Sequence, residues 1–180
     1  MRTALLAGKG LIFLYLAYLT IWMATSYAPQ VPGHEPPFLL WIVDLINLYV
    51  HEAGHFFLAP FGQFIHVLGG SLFQVIVPLA LAAVTFRQTP QHVVYPLFWT
   101  GESIVNVSPY IQDAPVMKLH LIARGARHDW NYLLRGHLDW AEGLGEIVFV
   151  LGILVCTTAI GAGVYFAIRS WREEPPALPE

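Results

Sequence analysis

The stretch FLLWIVDLINLYVHEAGHFFLAP, residues 38–60, decides how this chain is read. It is a greasy run of spanning length, since about 20 apolar residues in a helix cross a hydrocarbon core of about 30 Å. Four ionisable side chains interrupt it: Asp44, His51, Glu52 and His55. Each costs roughly 3 kcal/mol within a membrane helix on insertion scales, so together they mark a functional candidate. His51-Glu52-Ala53-Gly54-His55 has the spacing H-E-x-x-H. Positions four apart lie on one helix face, so the two imidazoles can converge on one tetrahedral metal. Glu52 is rotated from His51 by about 100°, near enough to act on a water without being a ligand. Zinc suits the set, because it accepts nitrogen and oxygen ligands, keeps a position open and lowers the pKa of water toward neutrality. Glu52 is then the base that takes a proton as water attacks a carbonyl and later returns it to the leaving amine. Gly54 leaves the helix surface bare, which reads either as a gap for a substrate backbone or as close helix packing. The structural alternative for the whole cluster is a hydrogen-bonded group of His and Glu side chains joining helices.

The rest of the chain agrees with a lipid setting. Of 180 residues, 56% are hydrophobic and only 12% charged, against about a quarter charged in soluble domains. That length predicts a single membrane-embedded domain, residues 1–180. A net charge of -3 argues against nucleic acid as a partner. Cys156 is the single cysteine, so no intramolecular disulfide forms, and its apolar surroundings predict a packed hydrophobe. Apolar runs predict five membrane-spanning helices at 11–28, 38–60, 70–86, 92–111 and 145–168. The expected fold is all-α, a polytopic transmembrane bundle. Arg2, Lys9 and the small residues Ser26-Tyr27-Ala28 give the first run the look of a secretion signal. Its length and the following Pro29 predict a retained helix instead.

Pro32, Pro36 and Pro37 separate the first two helices, and Arg87-Gln88-Thr89-Pro90 turns between the third and fourth. Residues 61–69 are apolar but too short to span, which predicts a re-entrant or interfacial loop. The one substantial polar loop covers 112–142 and carries Lys118, Arg124, Arg127 and Arg135. A cytoplasmic N-terminus places these four with Arg2 and Lys9, six basic residues inside against three outside: Arg87, Arg169 and Arg172. That asymmetry predicts the N-terminus in the cytoplasm.

Three features in order resemble the site-2 protease family of intramembrane zinc metalloproteases, over residues 38–113. The first is HEAGH at 51–55 in a membrane helix. The second is Gly70-Ser71-Leu72-Phe73-Gln74, similar to that family's Gly-Pro-x-x-Asn element, with Ser71 for proline and Gln74 for asparagine. The third is Asn106-Val107-Ser108-Pro109-Tyr110-Ile111-Gln112-Asp113, similar to the Asn-x-x-Pro segment whose later aspartate completes the zinc site. Here Asp113 falls about one residue early and precedes Ala114 instead of glycine. The resemblance implies a zinc-dependent intramembrane protease in which Asp113 is the third ligand and Gln74 and Asn106 hold the substrate backbone or the developing oxyanion; the other reading of Gln74 and Asn106 is hydrogen bonding from helix to helix.

The residues themselves leave rivals. Pro109 gives a reason for the chain to unwind and turn Asp113 inward. On an unbroken helix, however, Asn106, Tyr110 and Asp113 share a face, and Asp113 then only supports the site. Asp129 or His128, in the polar loop beside Trp130, can fold back over the metal as the third ligand. Asn47, one turn before His51, is expected to accept its second ring N–H, and Asp44 to support Asn47 or line a water path. Glu102, one turn before Asn106, joins the same polar core, while His66, His92, His120 and His137 are expected at interfaces or in solvent. The substrate expected is another protein's membrane helix, locally unwound because its amides are otherwise bonded internally. The other function classes are a non-catalytic membrane subunit that binds a partner helix, and a membrane zinc hydrolase of a lipid or small amide.

Overall fold

The computed structural model describes residues 2–27, 35–119 and 128–173, and among them all regular structure is helical. Helix α1 spans Arg2–Ser26, α2 Phe38–Leu58, α3 Gln63–Gln88, α4 Val94–Gln112, α5 Asp129–Leu133 and α6 Ala141–Glu173. Single 3-10 turns lie at Ala59–Phe61, Pro90–His92 and Leu138–Trp140. Pro29, Pro32, His120, Arg124 and Arg127, which figure in the sequence reading, lie outside the described residues.

Among the described residues, three helical stretches are long and apolar enough to cross a membrane: Leu5–Ser26, Gln63–Gln88 and Leu138–Arg172. The other two expected spans, α2 and α4, have 21 and 19 residues and so have the length but not the apolarity. Their polar side chains turn into the protein: Asn47 on α2, and Thr100, Glu102, Ser103 and Ser108 on α4, are all buried. A helix surrounded by protein can carry such groups when they bond one another.

Two expectations of the sequence fail locally. Residues 61–69 form no re-entrant loop, because Gly62, at φ 92°, completes a tight turn and the apolar segment continues as the start of α3. Nor does Pro109 unwind α4. Proline cannot donate to the Val105 carbonyl, but Ser108 Oγ donates to it at 2.7 Å, and the Asp113 amide still bonds the Pro109 carbonyl at 2.8 Å. Asp113 is therefore left at the helix end.

Two antiparallel contacts through small residues build the bundle. Along α4 and α6, Gly101 faces Cys156 and Gly152, Gly152 faces Val105, and Gly145 faces Ser108 and Gln112. Buried Phe13, Leu16, Leu19 and Met23 of α1 join Val94, Phe98 and Val105 of α4 and Cys156 and Ala159 of α6 in one core, which Leu40 of α2 enters from the side. Cys156 is thus the packed hydrophobe expected. Between α2 and α3 the backbones touch: a Cβ on Gly54 would run into the Gly69 carbonyl, and one on Gly69 would lie 2.6 Å from the Gly54 carbonyl oxygen. Gly54 therefore serves close packing, and no gap opens beside it.

Adding one methyl tests this packing. A Cβ on Gly152 would lie 2.7 Å from the Val105 nitrogen, whereas one on Gly161 of the same helix meets nothing within 4 Å. Thermal unfolding in detergent is expected to show Gly152→Ala destabilised by about 1–3 kcal/mol and Gly161→Ala unchanged or slightly stabilised.

Candidate metal centre

The α2–α3 hairpin builds the first half of the site. His51 and His55 lie on the face of α2 that meets α3, and the backbone contact at Gly54 and Gly69 draws the helices close enough for the His51 ring to cover Gly70, where a Cβ would strike the imidazole. The two rings meet edge to face, with centroids 4.8 Å apart. Glu52, one residue on, is exposed at the flank, and one of its carboxylate oxygens lies within 4.8 Å of a ring nitrogen of each histidine.

The second half arrives from the polar loop. Asp129 opens α5 and brings Oδ2 to 3.0 Å from His51 Nε2 and 3.1 Å from His55 Nε2. Burial raises the Asp129 carboxyl, yet the bonds to His51 and His55 outweigh it and hold the group at about 2, so it is a carboxylate at neutral pH. Trp130 ties the loop to α3 by donating Nε1–H to Ser71 Oγ at 3.1 Å, and Asn131 ties it to the end of α4 by donating to the Ala114 carbonyl at 2.8 Å.

Asp113 does not join the imidazole pair. Its carboxylate accepts the Lys118 and Leu119 amides, both at 2.9 Å, and faces His128 Nε2 at 3.2 Å. His128 is no partner of the pair either. Its Nδ1 accepts the Asn131 amide at 3.2 Å, so its proton sits on Nε2 and is donated to Asp113. The helix end thus holds both flanks of the loop, and Asp129 is the residue it delivers.

The outer ring nitrogens also have partners other than expected. Asn47 does not reach His51: its amide donates to Glu102 at 2.7 Å, and its oxygen accepts from Trp99 at 2.7 Å and Ser103 at 3.1 Å. Gln74 Oε1 faces His51 Nδ1 instead, at 3.2 Å. Gln74 Nε2 donates to Asn106 Oδ1 at 2.6 Å, and Asn106 Nδ2 donates to Tyr27 at 2.6 Å and to Asp44 at 2.7 Å. Gln74 is buried and both amides are bonded at each end inside the protein, so these side chains join helices and support His51 and do not line an open cleft. Asp44 accepts from Tyr27 as well, at 3.2 Å.

His66, expected at an interface, packs against His55 with ring centroids 5.4 Å apart. The two exchange bonds across the hairpin: His55 Nδ1 donates to the His66 carbonyl at 2.8 Å, and His66 Nδ1 to the His55 carbonyl at 2.9 Å. Only the register of the hairpin, set by the turn at Gly62, could have signalled this. His137 does stack on Trp140 in an exposed position.

These partners determine what the inner nitrogens can do. A backbone carbonyl can only accept, so His55 carries a proton on Nδ1, and the Gln74 oxygen holds one on Nδ1 of His51; each Nε2 is then the nitrogen turned to Asp129, donating to its carboxylate while the ring is charged and offering a lone pair to a metal once it is neutral. Protons on the ring nitrogens join these groups at 3.0 and 3.1 Å, and a divalent cation can take the place of those protons. In tetrahedral zinc sites with bonds of 2.0–2.1 Å, neighbouring ligand atoms lie about 3.3 Å apart. The observed 3.0 and 3.1 Å come close to that, so the donor set fits a divalent ion with His51, His55 and Asp129 as its ligands.

Asp113→Ala removes the acceptor of two loop amides and the His128 bond. Hydrogen exchange read by mass spectrometry is expected to speed up by about tenfold or more in the segment carrying Asn131 and Tyr132, with exchange within α6 unchanged. Compared with family models, curated proteins and solved structures, the chain matches none.

Proposed function

We propose that this chain is a membrane-embedded zinc metalloprotease of the HExxH type that cuts a peptide bond in or near the membrane-spanning segment of a protein substrate. The observation that carries the reading is the convergence of His51 Nε2, His55 Nε2 and Asp129 Oδ2, with the outer nitrogen of each ring holding a proton so that Nε2 is the one left for a metal. In this reading α1, α2, α3, α4 and α6 all cross the bilayer, with the N-terminus in the cytoplasm. The site then lies near the cytoplasmic face. His55 and His51 precede the end of α2 at Leu58 by one to two turns, a depth of about 5–10 Å at 1.5 Å per residue.

When bound, zinc supplies Lewis acidity that polarises a carbonyl and makes water a nucleophile at neutral pH. The protein does the rest. His51 and His55 hold the ion through Nε2 and Asp129 through Oδ2. Glu52 takes a proton from the attacking water on its carboxylate and returns it to the leaving amine. A membrane-helix substrate is supported by the surface around Glu52: Trp41, Leu45, Tyr49 and Phe56 form an exposed apolar stripe along the same side of α2. A segment lying there must unwind before a carbonyl reaches the site.

The test compares wild type with Glu52→Gln, both purified with zinc, on a panel of single-span membrane proteins in liposomes. The variant is expected to keep its metal and lose cleavage by about 100-fold or more. Equal metal content with unchanged behaviour toward the panel overturns the protease reading in favour of a helix-binding subunit, and turnover confined to lipids or small amides moves the assignment to that hydrolase class.

A further inference from the structure

A run of hydrogen bonds leads from the site into the bundle, and its polarity is set at the far end. Asp44 Oδ1 accepts from Asn106 Nδ2 at 2.7 Å. With its nitrogen turned to Asp44 and Tyr27, Asn106 must turn its oxygen to α3, where it accepts from Gln74 Nε2 at 2.6 Å. Gln74 in turn can offer only its oxygen to His51 Nδ1. An amide is a donor at one end and an acceptor at the other, so each orientation dictates the next. The last link dictates which nitrogen of His51 carries the proton.

We propose that Asp44 is a positioning residue that acts through Asn106 and Gln74 to keep a proton on His51 Nδ1, so that Nε2, facing Asp129, is the nitrogen that gives up its proton to a metal. The inference deepens the metal reading, but its core is a statement about a tautomer and is measurable without metal. It also gives each of these three polar side chains a role within the bundle. Remove the middle of the relay and nothing holds the Gln74 amide in one sense; a half turn about its last bond presents Nε2 to His51, which then accepts on Nδ1 and carries its proton on Nε2, pointing it at the ion. His55 needs no such relay because its partner is a backbone carbonyl, which cannot reverse.

The experiment is nitrogen NMR on metal-free protein labelled at histidine, in detergent at about pH 8, where an ordinary imidazole is neutral. The His51 signals are identified by their loss in His51→Gln. In wild type Nδ1 is expected to be protonated, so that any unprotonated signal, far downfield of the protonated one, is expected at Nε2. In Asn106→Leu, which leaves every atom touching His51 in place, a second His51 population protonated on Nε2 is expected, while His55 keeps its state. Zinc affinity of that variant, titrated against a competing chelator, is expected to fall about 10- to 100-fold. A merely structural role would not move the tautomer. A wild-type His51 protonated on Nε2 alone overturns the proposal without any variant, and so does a folded Asn106→Leu protein that retains the wild-type His51 signals. A chain that takes up no zinc but shows the expected wild-type and variant tautomers supports the relay and overturns only the metal assignment.

Discussion

Two imidazole nitrogens and a carboxylate oxygen converge on one place, and the rest of this structure is arranged to make that convergence happen. His51 and His55 share a face of α2 by their spacing, but spacing alone leaves their rings free to turn. The rings are held because their outer nitrogens meet partners with no alternative: the His66 carbonyl for one and a bonded Gln74 oxygen for the other. Asp129 then arrives ionised, against the burial that opposes its charge. In the proposed reading a divalent ion takes the place of the protons that join these groups, with the same three atoms as its ligands.

The same requirement explains how the bundle carries so many polar groups. In a bilayer no water satisfies them, so they must meet inside the protein. Small residues make this possible. The contact of Gly54 with Gly69 brings α2 and α3 to backbone distance, and Gly101 with Gly152 does the same for α4 and α6. With the helices this close, short side chains span the gaps: Asn47 reaches Glu102, Trp99 and Ser103 from α2, and Gln74 reaches Asn106 from α3. The polarity that keeps α2 and α4 below the apolarity of a typical span is the polarity that ties them together.

What the sequence made legible is what depends on a helical period. The two imidazoles four residues apart, the carboxylate between them and the existence of the long helices follow from local pattern; α2 and α4 stand within two residues of the expected runs, whereas α1 begins nine residues earlier and α3 seven. The third partner did not follow. Asp129 is 78 residues from His51 and reaches it only because the loop is fixed at both ends, by Asp113 on one side and Ser71 on the other. Asp113 stood in the position the resemblance suggested, but Ser108 covers the carbonyl that Pro109 leaves without a donor, α4 runs on unbroken, and loop amides take the carboxylate. Asn47 illustrates the same limit. Its place one turn before His51 was readable, but the neighbour that would claim its amide was not. His66 was hidden for a different reason, since its meeting with His55 follows from the left-handed turn at Gly62, not from any motif.

The central claim is that a divalent ion is held by two imidazoles and the carboxylate of the polar loop. X-ray absorption at the zinc edge, on wild type and Asp129→Ala loaded with one equivalent of metal, tests it most directly. In wild type the nearest shell is expected to show two imidazole nitrogens with oxygen donors at about 2.0–2.1 Å, and in the variant one protein oxygen fewer or no bound ion. A zinc that binds wild type without imidazole scattering, or a shell left unchanged by Asp129→Ala and altered by Asp113→Ala, contradicts it.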